Sequence, residues 1–482
     1  MTAEKKSFLS EDWLSLWLGL FVFILSLGIF AGIDLLGWGI KTNVWTDISN
    51  STSAITKNYS SLPGIVALLL TYVFMLIIVG AGLKALGVGF KKFIIPFTIV
   101  FFISYFCWLL GHYAYIAATS DKLDSLGISW SMNLTGEAGY IIALIVGVII
   151  GNFFPRLVAI IEPSTRPELF IKTAIVIMGA ALGVKAAESL GLASSVMFLG
   201  LCAIIIAYLI YWATVYYISR KYFKFNKEWA APLASGISIC GVSAAIATGG
   251  AIRARPIIPI MVSSLVVVFA VVELILLPFL AQIFLWQEPM VAGAWMGLAV
   301  KTDGAAVASG VITEALIRAK ALSEIGVNYK EGWIVMTTTT VKVFIDVFIG
   351  IWAFILAVIW CSKFEKNKSG DKVRAREIWD RFPKFVIGYA LTFLIFLIIC
   401  LINPDITGTA SASSGAANSF RQMFFVFTFF TIGVVSNFKK LKEEGIGKLA
   451  VVYLLCLFGF IIWIGLFISW VFFHGITPPV IQ

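Results

Sequence analysis

Apolar residues gather into thirteen runs, at about 13–35, 63–83, 93–111, 138–154, 169–184, 194–218, 230–251, 257–285, 291–312, 332–361, 385–403, 419–438 and 449–473. A hydrocarbon core of roughly 30 Å takes about 20 apolar residues in a helix, so most of these runs can cross a bilayer. Unbroken stretches such as Leu16–Ile33 and Val451–Phe473 exclude an outer-membrane β-barrel, whose strands alternate over segments of about ten residues. The pattern predicts an all-α polytopic membrane protein. Composition agrees: of 482 residues 60% are apolar and 13% charged, whereas a soluble domain is near 45–50% and 25%. A soluble globular protein is thereby excluded.

The net charge of +10 reads first as topology, because Lys and Arg collect in cytoplasmic loops, and not as nucleic-acid binding. Positive clusters alternate along the chain: Lys84, Lys91 and Lys92; then Arg156 and Arg166; then Arg220, Lys221, Lys224 and Lys227; then the loop 362–384 with eight Lys or Arg; then Lys439, Lys440, Lys442 and Lys448. The opposite loops, 36–61, 113–136 and 404–418, are poor in positive charge. This predicts a cytoplasmic N-terminus. It also expects no cleavable signal peptide, since Leu14–Ile33 is long enough to span.

Between residue 227 and the loop at 362 lie four runs, and both flanks must be cytoplasmic. Four plain crossings would put Arg253 and Arg255 outside. Making 230–251 and 291–312 re-entrant or broken, one entered from each side, keeps both arginines inside and exposes only 313–331, whose three basic and three acidic residues cancel. Length is neutral, since 22 residues form either one helix of about 33 Å or two arms of about 15 Å. With about 11 spanning helices and two such elements, the C-terminus falls on the periplasmic side.

An internal repeat supports the broken elements. Gly236–Gly249 laid on Gly297–Gly310, an offset of 61 residues, gives five identities in fourteen positions and four conservative pairs. A looser likeness joins Phe170–Gly191 with Phe424–Gly445. Inverted repeats matter because secondary transporters build their sites from discontinuous helices that meet near the midplane.

The residues at those centres are the candidates for chemistry. In the first, Ser238, Cys240, Gly241, Val242 and Ser243 offer a break whose freed amides form a half-helix N-terminus suited to an anion; the alternative is a small-residue packing face. In the second, Lys301, Thr302, Asp303 and Gly304 occupy the equivalent place. A charge at that depth costs about 2.5–3.5 kcal/mol on insertion scales and points to a functional site, or to a self-contained ion pair. Lys301 can neutralise an anion, and Asp303 can carry a coupling ion. Glu273 is alone in its run, and Lys342 and Asp346 are spaced four apart for an internal pair; these are the further candidates for ion coupling. The six Cys show no metal-ligand spacing, the two His, His112 and His474, lie at run ends, and no phosphate-binding loop occurs. No metal and no cofactor beyond Na+ or H+ as coupling ion is expected.

Ser238-Ile239-Cys240-Gly241-Val242-Ser243, with Ile252-Arg253-Ala254-Arg255 after it, resembles the signature of the YeiH-type sulfate exporter family, loosely over about 136–473. That family is similar in organisation to the cation:proton antiporter and anion transporter superfamily. The resemblance implies an inverted-repeat fold with a scaffold and an elevator-type transport domain, and a homodimer. It further implies a small-anion transporter of the prokaryotic inner (plasma) membrane. It also implies a transporter core at 136–482 preceded by an N-terminal extension, 1–135, with three transmembrane helices. Where a His-Glu pair is expected this chain has Lys301-Thr302, so substrate and coupling ion stay open. The expectation is therefore a non-enzymatic secondary transporter of a small sulfate- or sulfite-like anion, organosulfonate or carboxylate, coupled to H+ or Na+. The alternatives are a cation/proton antiporter using Lys301 and Asp303, or an integral-membrane enzyme.

Overall fold

The computed structural model describes residues 10–118, 122–132, 134, 136, 138–188, 190–252, 254–255, 257–363, 384–436 and 447–481. The side chains of Val242, Ser243, Asp303 and Asp346, the surroundings of Gly304, and most of the expected cytoplasmic loop, 364–383, lie outside the described residues. The chain is helical almost throughout. The helices are α1 (Glu11–Ser26), α2 (Gly64–Ala85), α3 (Phe90–Gly111), α4 (Ala114–Ala117), α5 (Ala138–Phe153), α6 (Pro155–Ile161), α7 (Pro167–Glu188), α8 (Leu190–Lys221) and α9 (Lys227–Ser238). They continue with α10 (Gly241–Ala251), α11 (Ile257–Phe284), α12 (Pro289–Ala299), α13 (Asp303–Ile325), α14 (Trp333–Lys363), α15 (Lys384–Ile402), α16 (Thr407–Val435), α17 (Gly447–Cys456) and α18 (Ile462–Phe473). The only sheet among the described residues is a hairpin of β1 (Ile40–Thr42) and β2 (Thr52–Ala54), paired antiparallel.

Among the described residues eight helical stretches are long and apolar enough to cross a membrane, and a ninth appears if Ala138–Phe153 and Pro155–Ser164, bent by 113°, form one span. The bend falls at Pro155, whose nitrogen carries no proton to continue the α5 ladder. Eleven crossings would also need α11 and α14, 28 and 31 residues long; their described apolar portions are Val268–Phe284 and Trp333–Ile345.

The chain forms two compact units. The first comprises Met1–Ala193, Leu322–Glu324 and Lys384–Val435, so α1–α3, the helices of the expected N-terminal extension, are packed there with α5, α7, α15 and α16. Helices α5 and α16 meet backbone to backbone: a Cβ at Gly147 would lie 2.1 Å from the Phe430 carbonyl, and one at Gly433 would lie 2.4 Å from that of Leu144. This is the small-residue packing that brings membrane helices together. At the start of α1 and α7, Arg166 pairs with Glu11 at 2.5 Å and Lys172 with Asp12 and Glu168 at 3.4 and 3.5 Å. Lys172 is thus tied into an ion cluster. The stretch 404–418, read from sequence as a loop, is helical from Thr407 onward; its Ser, Ala and Gly residues lack the apolar signal without breaking the helix.

The second unit comprises Ser194–Ala321, Ile325–Pro383 and Ser436–Gln482. Two helical hairpins are folded within it. In the first, α9 and α10 run antiparallel: Thr248 Oγ1 lies 2.7 Å from Ser235 Oγ, and at the open end the Arg255 amide donates to Glu228 Oε1 at 2.8 Å. In the second, α12 and α13 return to a common end. Lys320, far along α13, lies 5.6 Å from the Trp286 ring just before α12. The 474–481 segment binds both arms there: the Gly475 amide donates to Glu288 Oε2 at 3.0 Å, and Lys330 N donates to the Pro479 carbonyl at 2.7 Å. Helix α11 carries the chain from the open end of the first hairpin to that of the second, about 42 Å at 1.5 Å per residue. The hairpins therefore approach each other from opposite ends of α11.

Candidate functional site

The first hairpin turns where α9 stops at Ser238. Ile239 (φ −114°, ψ −99°) and Cys240 (φ −128°, ψ 108°) leave the helical region, and α10 resumes at Gly241. No side chain fits at position 241, since a Cβ there would lie 1.9 Å from Val266 Cγ1 of α11. The second hairpin turns at Val300-Lys301-Thr302. Thr302 Oγ1 caps α13 by accepting the Ala305 amide at 3.2 Å, which satisfies one of the donors a helix N-terminus leaves over. Under the 61-residue offset of the repeat, Ser238 falls on Ala299 and Cys240 on Lys301, so both breaks occupy the same place in the repeat. The turns touch: the Gly241 amide donates to the Lys301 carbonyl at 2.5 Å.

Among the described side chains three ionisable ones surround this junction, each fully or almost fully buried: Glu273, Lys301 and Lys342. Lys342 Nζ donates to the Ile239 carbonyl at 3.2 Å and to that of Val300 at 3.3 Å, the last carbonyls of α9 and α12. Lys301 Nζ donates to the Leu298 carbonyl in the final turn of α12 and lies 4.6 Å from the Tyr211 ring centre. Both ammonium groups thus sit on the partially negative C-terminal ends of the incoming arms, where a cation gains about 0.3–1 kcal/mol, or up to ~2 in buried geometry. The N-termini of the outgoing arms, α10 and α13, carry partial positive charge at the same junction. Glu273, from the middle of α11, accepts the Lys301 amide on Oε2 at 2.9 Å.

Among the described residues Ser238 Oγ, Tyr211 Oη and Thr339 Oγ1 make no hydrogen bond, and Glu273 Oε1 and Tyr453 Oη face each other without one of good geometry. Buried polar groups are nearly always paired, so their concentration beside two lysines marks this junction as a place for a polar ligand. Among the described side chains two lysines face one carboxylate, and the two helix N-termini balance the two C-terminal ends on which the lysines sit. Among the described residues no group of His, Cys, Asp and Glu could hold a metal ion.

Of the candidates read from sequence, Ser238, Cys240, Gly241, Glu273, Lys301, Thr302 and Lys342 come together here. Val242 and Ser243 begin α10, Asp303 and Gly304 begin α13, and Asp346 follows Lys342 by one turn of α14; their side chains lie outside the described residues. The four-residue spacing with Asp346 did not reveal that Lys342 reaches the two hairpin turns. Tyr211 and Tyr453 were missed, because a tyrosine inside an apolar run carries no signal that separates it from ordinary core.

Two helical hairpins opposed within a bundle of apolar helices define a polytopic α-helical membrane protein with a charged, buried centre. The chain belongs to the family described as Conserved hypothetical protein 698, whose model matches residues 106–452. A UPF0324 membrane protein of Nitrosomonas europaea is 40% identical across 98% of this chain and 97% of its own length, so the likeness extends over α1–α3. An uncharacterized protein of Archaeoglobus fulgidus is 49% identical over 30% of this chain and 88% of its own. A UPF0324 membrane protein of Nitratidesulfovibrio vulgaris is 27% identical over 83% of this chain and 62% of its own. No solved structure matches the chain.

Proposed function

We propose that the protein is a secondary active transporter of a small anion, of the sulfate, sulfite, organosulfonate or carboxylate kind, driven by a proton or sodium gradient through alternating access. The observation that carries this reading is the meeting of two opposed hairpin turns, Gly241 on Lys301, beside the buried ammonium groups of Lys301 and Lys342. Secondary transporters place their substrates at broken helices near the midplane, with half-helix N-termini toward anionic groups. Here the α10 and α13 N-termini, the Ser238 hydroxyl and the two lysines hold the anion. Glu273, Asp303 and Asp346 are the carboxylates available for the coupling ion.

In this reading the chain catalyses no reaction and crosses the inner (plasma) membrane eleven times, N-terminus cytoplasmic and C-terminus periplasmic. It works as a homodimer, and the hairpin-bearing unit is the elevator-type transport body. The kinship with sulfate exporters and with the antiporter and anion transporter superfamily belongs to this proposal.

Purified protein in proteoliposomes, offered radiolabelled sulfate, sulfite, thiosulfate, a small sulfonate and a small carboxylate under imposed pH or sodium gradients, tests it. One of these should accumulate, and Lys301→Ala should reduce that flux at least tenfold. Unchanged flux in Lys301→Ala overturns the assigned site; anion-independent cation flux driven by the pH gradient would install a cation/proton antiporter in its place.

A further inference from the structure

Glu273 is 0% exposed, and its two carboxyl oxygens are treated differently. Oε2 is occupied by the Lys301 amide at 2.9 Å; Oε1 has no hydrogen bond of good geometry among the described residues. The group that faces it is Tyr453 of α17, itself fully buried and with its hydroxyl unengaged in a hydrogen bond of good geometry. The Tyr453 ring is stacked on Phe269, one turn before Glu273 on α11, at 5.0 Å between centres and 15° between planes. That stack fixes the hydroxyl beside the carboxyl. The other described charged groups that face Glu273 are Lys301 and Lys342.

A carboxyl next to a phenol is satisfied in two protonation states. As carboxylate it accepts the phenol's proton in a hydrogen bond; as carboxylic acid it donates to the phenol oxygen, because a tyrosine hydroxyl both donates and accepts. Sodium, by contrast, needs a shell of several oxygens, and two buried ammonium groups at the same junction repel it. Adding a proton to Oε1 removes the negative charge of Glu273 and leaves the centre one unit more positive, which strengthens its hold on an anion. By linkage the anion strengthens the hold on the proton by the same factor.

We infer that Glu273, positioned by Tyr453, takes up the coupling proton on Oε1, and that proton and anion bind together, making the protein a proton–anion cotransporter. The proton comes from water on the open side and returns to water on the other; no bond between heavy atoms changes. This deepens the anion reading above and rests on it for the second half of the statement.

Two measurements on the full chain separate the halves. Infrared difference spectra during a pH titration should show a carboxylic-acid carbonyl band that grows as pH falls. It should be absent in Glu273→Gln, restored in Glu273→Asp, and displaced in frequency and midpoint in Tyr453→Phe. Replacing sodium by potassium should leave it unchanged. Binding of sulfate and sulfite, followed calorimetrically, should tighten by up to about tenfold per unit fall in pH across that midpoint and lose this dependence in Glu273→Gln. A band that survives Glu273→Gln, a band displaced by sodium, or a Tyr453→Phe spectrum identical to wild type overturns the proton site. Anion binding that weakens as pH falls overturns cotransport. The expected band with no binding of either anion at any pH refutes the anion reading and leaves the proton on Glu273.

Discussion

The α5–α16 crossing gives a prediction that is independent of any function. A methyl group at Gly433 would stand 2.4 Å from the Leu144 carbonyl oxygen, 2.7 Å from the Val148 nitrogen and 2.9 Å from the Gly147 carbonyl carbon. All three are main-chain atoms, so no rotamer change relieves the clash. Non-bonded carbons settle at about 3.5–4.0 Å, so the helices must separate by about 1 Å along the crossing and give up contacts on either side. Overpacking of this kind costs about 1–3 kcal/mol. On the same helix, a Cβ at Gly415 meets nothing within 4 Å, and alanine there gains roughly 0.5–1 kcal/mol by limiting the freedom of the unfolded chain. Thermal unfolding of detergent-solubilised protein, followed by size-exclusion of the soluble fraction, should therefore show opposite signs: Gly433→Ala melts several degrees below wild type, Gly415→Ala at or above it. Equal midpoints for the two variants would refute the backbone-to-backbone crossing.

Two further outcomes follow from the hairpin turns. Gly241→Ala should destabilise the protein in the same assay, because its methyl group collides with Val266; since the close atoms are all of that one side chain, the pair Gly241→Ala with Val266→Ala should recover most of the loss, and failure to recover would place the obstacle elsewhere. Thr302→Ala should cost about 1 kcal/mol, the usual worth of a helix N-cap, while Thr302→Ser keeps the hydroxyl and should melt like wild type.

The sequence carried the hairpins through two signals of different origin. Arg253 and Arg255 would have faced outward had 230–251 crossed the membrane, and the 236–249 and 297–310 repeat put both breaks at equivalent positions. What it did not carry is which partner each charge meets. The four-residue spacing of Lys342 and Asp346 suggested a pair on one helix; it could not show that Lys342 Nζ donates to carbonyls supplied by residues 103 and 42 positions away along the chain, because tertiary approach leaves no periodic trace. Tyr453 and Tyr211 were hidden for the same reason, being apolar by composition and polar only at the tip. The helical start of α16 at Thr407 was missed because hydropathy reports burial in lipid, and Ser and Gly residues can be helical without it.

The lysines of the junction bind main-chain oxygens, those of Ile239, Leu298 and Val300. Any amino acid placed at these three positions brings the same carbonyl. An alanine scan would therefore register these contacts only from the lysine side, and substitutions at the three acceptor positions would leave them in place. Replacing single peptide bonds by esters, which weakens the carbonyl as an acceptor while leaving the side chain in place, is the chemistry that would bring those contacts into view.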